Sequence, residues 1–318
     1  MEQLLKRYLK KFKNLRLDRS SGVAPHKPIL LISVILSFQN GQIASNKIFI
    51  SPEIVALFNT IWSKLVTTNH QCQISLPFYY LKSDGFWKLK PKANFNDINA
   101  MGTIMKSFSK LKAVVDFAEL PDDLVELLNN KQSRNILLEF LLDEYFPYTK
   151  DRFIIPNKNS LFDSQKMEFL KVDSESYKKK MKQLLDENQE EEIYLRGAVF
   201  KREIPKIYNY RCCISGMQVT TIQNFSMIDA CHIVPFSSSY NDTVTNGIAL
   251  CPNLHRAFDR GLITINSNYR VEVSDMFSEQ GNYSIKDYKG VKIELPLDQK
   301  YWPSLESLSW HKREKYLS

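Results

Sequence analysis

Between Ile228 and Gly261 the residues leave little choice of local structure. Ile228 to Val234 reads as a strand and ends on Pro235. Pro235 to Asn246 is a loop, and Ile248 to Cys251 is a second strand. Pro252 to Arg260 has helical spacing, with proline in the first turn, where a missing N–H is tolerated. Gly261 is placed to stop that helix in a left-handed cap. The segment therefore predicts strand, loop, strand, helix.

That architecture carries a His, an Asn and a second His in order, at His232, Asn246 and His255. Hydrolysis of a phosphodiester needs a base, a group that shapes the loop beside it, and metal ligands. A neutral imidazole at His232, at the end of the first strand, can take a proton from an attacking water. The Asn246 amide can bond backbone groups across the loop and hold His232 in place. His255 lies on the helix, where a cation could stabilise charge on phosphorus and on the leaving oxygen. Asp259 is four residues further along the same helix face. It reads either as a second ligand or as a helix C-terminal residue bonding backbone or Arg260. Each of these residues alone has an ordinary structural reading. Their joint order favours chemistry for His232, Asn246 and His255.

Three blocks carry a resemblance: Asp229-Ala230-Cys231-His232-Ile233-Val234-Pro235, Asn246-Gly247-Ile248-Ala249-Leu250-Cys251, and Leu254-His255-Arg256-Ala257-Phe258-Asp259-Arg260-Gly261. With the lead-in Tyr210 to Gly216 they resemble the HNH endonuclease family over roughly residues 194–270. The resemblance implies a ββα-metal finger using a divalent ion, Mg²⁺ or Mn²⁺. One position departs from it. Many HNH nucleases carry Asp or His directly before the base, and this chain has Cys231. A thiolate suits hard Mg²⁺ poorly, which leaves the ligand set open and favours a softer ion such as Mn²⁺ or Zn²⁺. Asp229 shares the strand face of Cys231.

The charge balance fits an anionic partner: formal net charge is +8 and the sequence pI about 9.0. The five cysteines form no CxxC pair, which argues against a four-cysteine zinc knuckle and for reduced thiols. No apolar run is long enough to span a bilayer, and Met1 to Lys6 lacks the apolar core of a signal peptide. A cytoplasmic location is expected, with no membrane partner.

Upstream, helices are predicted over residues 2–14, 29–38 and 52–66, and over 101–145. Gln73 to Leu81 is predicted as a strand, with Ser83-Asp84-Gly85 as a hairpin turn into a second strand, Phe86 to Leu89. The charge-dense stretch 166–192 is predicted to be a helical linker with a solvated surface. Tyr194 to Tyr208 is a further helix.

Two N-terminal segments, Arg16 to Leu31 with Pro25-His26-Lys27-Pro28 and Leu76 to Trp87 with Pro77-Phe78-Tyr79-Tyr80, resemble the sulfur-binding domain of restriction endonucleases that recognise phosphorothioated DNA. The likeness covers roughly residues 1–150. Sulfur in place of a non-bridging phosphate oxygen keeps the charge but makes one edge softer and less hydrated. An apolar notch accepts that edge, while an ordinary oxygen there would lose hydrogen bonds. Leu76, Pro77, Phe78 and Tyr80 are candidates for the notch. The resemblance implies that His26, Lys27 and Pro28 at the helix start, with Arg16 and Arg19 of the basic loop before it, contact DNA. Equally, half of the aromatic residues here must be core by strand alternation. His70 and Cys72 read as incidental.

The sequence thus predicts an α+β chain. A mixed helix and small-sheet recognition domain is expected at 1–165, a linker at 166–192 and a ββα-metal HNH nuclease domain at 193–318. The expected activity is cleavage of double-stranded, phosphorothioated DNA, with a homodimer as one route to cutting both strands. Two alternatives remain open: an HNH nuclease triggered by another modification or by plain sequence, and a DNA-binding regulator without activity.

Overall fold

The computed structural model describes residues 1–20, 22–95, 107–157, 160–171, 173–221 and 226–318. The chain divides into two compact units, Met1–Phe162 and Asp163–Ser318. The architecture is α+β, with helices and three small antiparallel sheets among the described residues. No described helix is long and apolar enough to cross a membrane. All five cysteines are free thiols.

Unit 1 holds α1 (Glu2–Lys13), α2 (His26–Gln39), β1 (Lys47–Ile48), α3 (Pro52–Leu65), α4 (Ser75–Tyr80), β2 (Lys88–Pro91), α5 (Phe108–Val114), β3 (Val115–Glu119), α6 (Asp122–Asn129) and α7 (Lys131–Tyr145). Helix α2 is the centre. Every residue from His26 to Phe38 is buried, as expected of a helix apolar on all sides. Its two interior serines satisfy themselves by donating back to Ile29 O and Ser33 O, each at 2.8 Å. Helices α3, α4, α6 and α7 pack around it, and α7 also packs on α1.

Two expectations fail in unit 1. The predicted strand at Gln73 to Leu81 is α4, followed by a 3-10 turn, Leu81–Asp84, that ends on Gly85 at φ +77°. Pro77 supplies the reason. It cannot donate to a sheet ladder, but in a helix's first turn its absent N–H is not missed. Asp84-Gly85 therefore closes a helical turn and makes no hairpin, and β2 begins only at Lys88. The predicted long helix at 101–145 also breaks up. Residues 101–106 lie outside the described residues. The rest divides into α5, the central sheet strand β3, α6 and α7, with the sheet in the order β1-β3-β2. The β-branched pair Val114-Val115 and the stop at Pro121 favour a strand between two helices.

Unit 2 holds α8 (Asp163–Phe169), α9 (Ser174–Asp186), α10 (Glu190–Ile207), β4 (Asp229–His232), α11 (Phe236–Ser239), β5 (Gly247–Leu250), α12 (Pro252–Asp259), β6 (Ile263–Ile265), β7 (Val271–Val273) and α13 (Leu305–Glu314). The stretch 166–192 is not a free linker. It forms α8, α9 and the start of α10, and both earlier helices pack on α10. Its charges hide a buried ion-pair cluster. Arg196, 3 % exposed, binds Glu168 at 2.8 Å and Glu192 at 3.0 Å. Burial alone would raise the Glu168 carboxyl, but hydrogen bonds from Arg196 and Lys180 outweigh it and hold the group at about 2.

The predicted strand, loop, strand and helix are β4, the loop with α11, β5 and α12. Gly261 follows at φ +70°. A side chain there would also meet Lys315 O at 1.9 Å, so this glycine serves the close approach of the chain after α13 as well as the cap.

Candidate active site and nucleic-acid interface

Strands β4 and β5 pair antiparallel, with Asp229 opposite Leu250, Cys231 opposite Ile248 and His232 opposite Gly247. Strand alternation turns Asp229 and Cys231 to one face and His232 to the other. Helix α12 packs on both strands, and α10 does the same. The two groups of site residues are therefore collected on either side of one ladder.

On the first side, His255 of α12 stands between two carboxylates. Its Nδ1 is 3.2 Å from Asp229 Oδ2 and its Nε2 is 3.5 Å from Asp259 Oδ2. The Cys231 thiol, the His255 ring and the Asp259 carboxylate offer ligand atoms that all lie within 4.8 Å of one another. One imidazole and two partly exposed carboxylates match a hard divalent cation. Whichever ring nitrogen coordinates, the other has a carboxylate to orient it. Cys231 suits such an ion less well. Burial, and then the charge of Asp259, pushes its thiol well up, away from the thiolate a ligand must be. The donor set thus fits an ion held by His255 and Asp259, with Asp229 beside them.

On the second side, His232 lies flat on Phe200 of α10, with ring centroids 3.8 Å apart and planes 4° from parallel. Its Nε2 is 2.7 Å from Oδ1 of Asp242, a residue of the intervening loop. Asn246 is fully buried and bridges the base of that loop. Its Oδ1 accepts from Val234 N at 2.9 Å, and its Nδ2 donates to Val234 O and Asn241 O, both at 2.9 Å. It is thus tied directly to the backbone two residues beyond His232. The His232 and His255 rings have separate partners. Sequence reasoning missed Asp242, which lies in a loop of mixed polar residues with no distinguishing spacing.

A second site lies in unit 1. A cavity of about 580 Å³ is lined by Arg16, His26, Lys27, Leu76, Pro77 and Tyr80 of the sequence candidates. Arg19, Pro28 and Phe78 do not line it. Pro28 is buried within α2, and Phe78 is fully buried edge-on to Trp87, at 5.1 Å between ring centroids. His70, which read as incidental, does line the cavity, and its ring meets that of His26 at 5.7 Å. Burial lowers the affinity of His26 for a proton, while its Nε2 is 2.9 Å from Gln71 O.

Lys27 departs from its expected role as a DNA contact. Its ammonium donates to Asp84 Oδ2 at 2.6 Å, Arg16 O at 2.7 Å and Ser83 Oγ at 3.3 Å. All three protons are used inside the protein. Asp84 also accepts from Arg16 N at 2.8 Å, so the pair fixes the basic loop against the turn that follows α4. Among the described residues that line the cavity, the exposed lysine or arginine side chain is that of Arg16.

Residues 212–266, which contain β4, β5, α12 and β6, match the HNH endonuclease family, so unit 2 carries an HNH endonuclease domain. Among solved structures the chain is similar to the modification-dependent TagI restriction endonuclease, at 17 % identity and TM-score 0.30, covering 36 % of each chain. It thus spans about a third of that enzyme's length. It is also similar to the sulfur binding domain of SprMcrA complexed with phosphorothioated DNA, at 17 % identity and TM-score 0.38 over 50 % of this chain and 95 % of the other. A third similarity is to the Type IV phosphorothioation-dependent restriction endonuclease ScoMcrA, at 13 % identity and TM-score 0.34 over 79 % and 94 %. No curated protein matches the chain.

Proposed function

We propose that the protein is a restriction endonuclease that hydrolyses DNA at the HNH site of unit 2 and selects phosphorothioated DNA through the cavity of unit 1. The observation that supports the nuclease reading is the HNH match at 212–266 falling on a ladder whose strand end beyond His232 is tied to Asn246 at Val234, with carboxylates on either side of His255. His232 takes the proton of the attacking water. Asn246 keeps the strand end in register. His255 and Asp259 would hold the ion, Mg²⁺ or Mn²⁺, with Asp229 orienting the ring. When bound there, a divalent cation would offset negative charge on the phosphate and the leaving oxygen.

The sulfur reading rests on the composition of the cavity in unit 1. Leu76, Pro77 and the exposed ring of Tyr80 give an apolar wall, and Arg16 gives a cation beside it. A phosphorothioate needs both, because it keeps the phosphate charge while presenting one poorly hydrated edge. Two copies, each cutting one strand, would account for a double-strand break.

The test is a pair of duplexes of one sequence, with and without phosphorothioate. The modified duplex is expected to bind at least tenfold more tightly and to be cut once Mg²⁺ or Mn²⁺ is added. Equal affinity removes the sulfur reading and leaves the nuclease. His232→Ala should bind as the wild type does and cut neither duplex. Cleavage that survives both His232→Ala and chelation of divalent ions removes the assignment to this site, and no cleavage of either duplex by the wild type with Mg²⁺ or Mn²⁺ removes the nuclease reading.

A further inference from the structure

The loop between β4 and β5 contains a carboxylate whose position is more constrained than loop packing requires. The Asp242 side chain is 3 % exposed. A buried carboxylate needs a compensating partner. Among the described residues its one ion-pair partner is His232, at 2.7 Å. The nearby cation, Arg196 of α10, is already committed to Glu168 and Glu192. Its guanidinium lies over the Tyr177 ring of α9, 5.5 Å from the centroid. Burial first, and then the charge of Asp242, pushes the Tyr177 phenol up.

The loop on either side of Asp242 is pinned. Asn241 Oδ1 accepts from Thr243 N at 2.9 Å and from Thr243 Oγ1 at 2.7 Å. Asn241 O accepts from Asn246 at 2.9 Å. The carboxylate is therefore set in place before any substrate arrives. Phe200 closes one face of the His232 ring and Asp242 fixes one edge. A ring held by a face and an edge can neither flip nor swing.

We propose that Asp242 is the positioning residue of the general base: it accepts the proton on His232 Nε2, and so keeps Nδ1 as the atom that receives a proton. The inference rests on the reading of His232 as base and deepens it. In the step, the water oxygen bonds to phosphorus while its proton passes to Nδ1. The bond from phosphorus to the leaving oxygen breaks, and that oxygen takes a proton from solvent. The imidazolium so formed keeps its Nε2–H on Asp242, whose charge offsets the new positive charge. A histidine without this carboxylate would divide between two tautomers, and one of them could not act as base.

Two measurements on the full chain test this. The first needs no substitution at Asp242. Nitrogen-15 NMR of the five histidines, with His232→Ala to assign the signal, should show neutral His232 protonated on Nε2. A proton on Nδ1 instead overturns the proposal, even if Asp242 variants do not fold. The second is single-turnover cleavage by Asp242→Asn. A loss of roughly 100-fold is expected, inside the usual contribution of a general base, with DNA affinity unchanged and the histidine signal shifted toward a tautomer mixture. Wild-type cleavage by Asp242→Asn alongside an inactive His232→Ala sinks the role of Asp242 and leaves the base intact. Full cleavage by His232→Ala sinks the base reading itself.

Discussion

Gly247 stands directly opposite His232 in the β4–β5 ladder, and a Cβ added to it would lie 2.3 Å from Ile204 Cδ1 and 2.9 Å from Phe200 Cε2. Its φ of −127° suits any residue, so the glycine is required by space and not by backbone. Helix α10 comes this close where Phe200 stacks on the face of His232. Both Phe200 and Ile204 are fully buried and have no room to yield. Gly247→Ala should therefore cost about 1–3 kcal/mol, the usual penalty for overpacking. It should also slow cleavage by moving Phe200 off the imidazole. Adding Ile204→Ala should restore part of the cleavage. Urea melts and cleavage rates of the three proteins check this, and a Gly247→Ala protein that melts and cuts as the wild type does would refute it.

Asn246 uses both ends of its amide, so its two obvious replacements should differ in kind. Asn246→Ala leaves the buried Val234 N–H and the carbonyls of Val234 and Asn241 without this partner, at a cost of roughly 2–4 kcal/mol. Asn246→Asp keeps the acceptor for Val234 N–H but sets a carboxylate against two carbonyl oxygens. It should be at least as damaging, although nearly isosteric. Both should abolish cleavage. Denaturation midpoints for the pair are the check, and an Asp variant as stable as wild type would show that Asn246 does not bridge the loop in this way.

These two sites also show what the sequence could reveal. Order and spacing single out His232, Asn246 and His255 as candidates, because a strand, loop, strand and helix of fixed length set such residues around one ladder. The partners of that ladder are not local. Phe200 comes from a helix some thirty residues upstream. Asp242 sits in a loop where many polar residues are equivalent on paper. In unit 1 an alternating pattern of apolar residues was compatible with a strand. Only the position of Pro77 relative to a helix start decides for α4, and with it which aromatic ring reaches the cavity. The run 166–192 misleads for a related reason. Most of its charges, Lys171, Glu175, Lys179, Lys182, Asp186 and Glu187 among them, are exposed as expected, but Glu168 and Glu192 neutralise one buried arginine.

Lys27, paired with Asp84, is a basic residue that holds the fold, in contrast to the exposed Arg16. The Lys27 and Asp84 side chains are 8 % and 3 % exposed. Lys27→Met would leave Asp84 buried without its cation, a change that commonly costs 3–5 kcal/mol. Unit 1 should become less stable, and any loss of DNA binding should follow the unfolded fraction. Arg16→Ala should behave in the opposite way, with DNA affinity falling about tenfold and thermal stability unchanged. Thermal melts paired with binding titrations separate the two. A stable Lys27→Met protein with lost affinity would return Lys27 to the DNA interface.

His311 sets a pH limit on the support behind α12. The ring is 2 % exposed, stacked on Phe258 at 3.6 Å, with Nδ1 2.9 Å from Thr264 Oγ1 and Nε2 donating to Phe258 O at 3.0 Å. Burial lowers its pKa from the ordinary 6.5 to about 4. The unfolded chain therefore binds the extra proton first as the solution is acidified. The stabilisation is complete above about pH 6.5 and disappears as pH falls from there to about 4, a loss on the order of 3 kcal/mol. Glu168 also favours the fold, but its carboxyl goes from an ordinary 4.5 to about 2, so its contribution disappears only below about pH 4.5. The two windows overlap only between about pH 4.5 and 4. His311→Gln, which keeps a donor and an acceptor but does not titrate, should flatten the stability curve between pH 6.5 and 4.5 and leave the steeper fall below it. Urea midpoints at half-unit steps of pH measure both. A variant with the wild-type slope above pH 4.5 would mean that another group carries the proton.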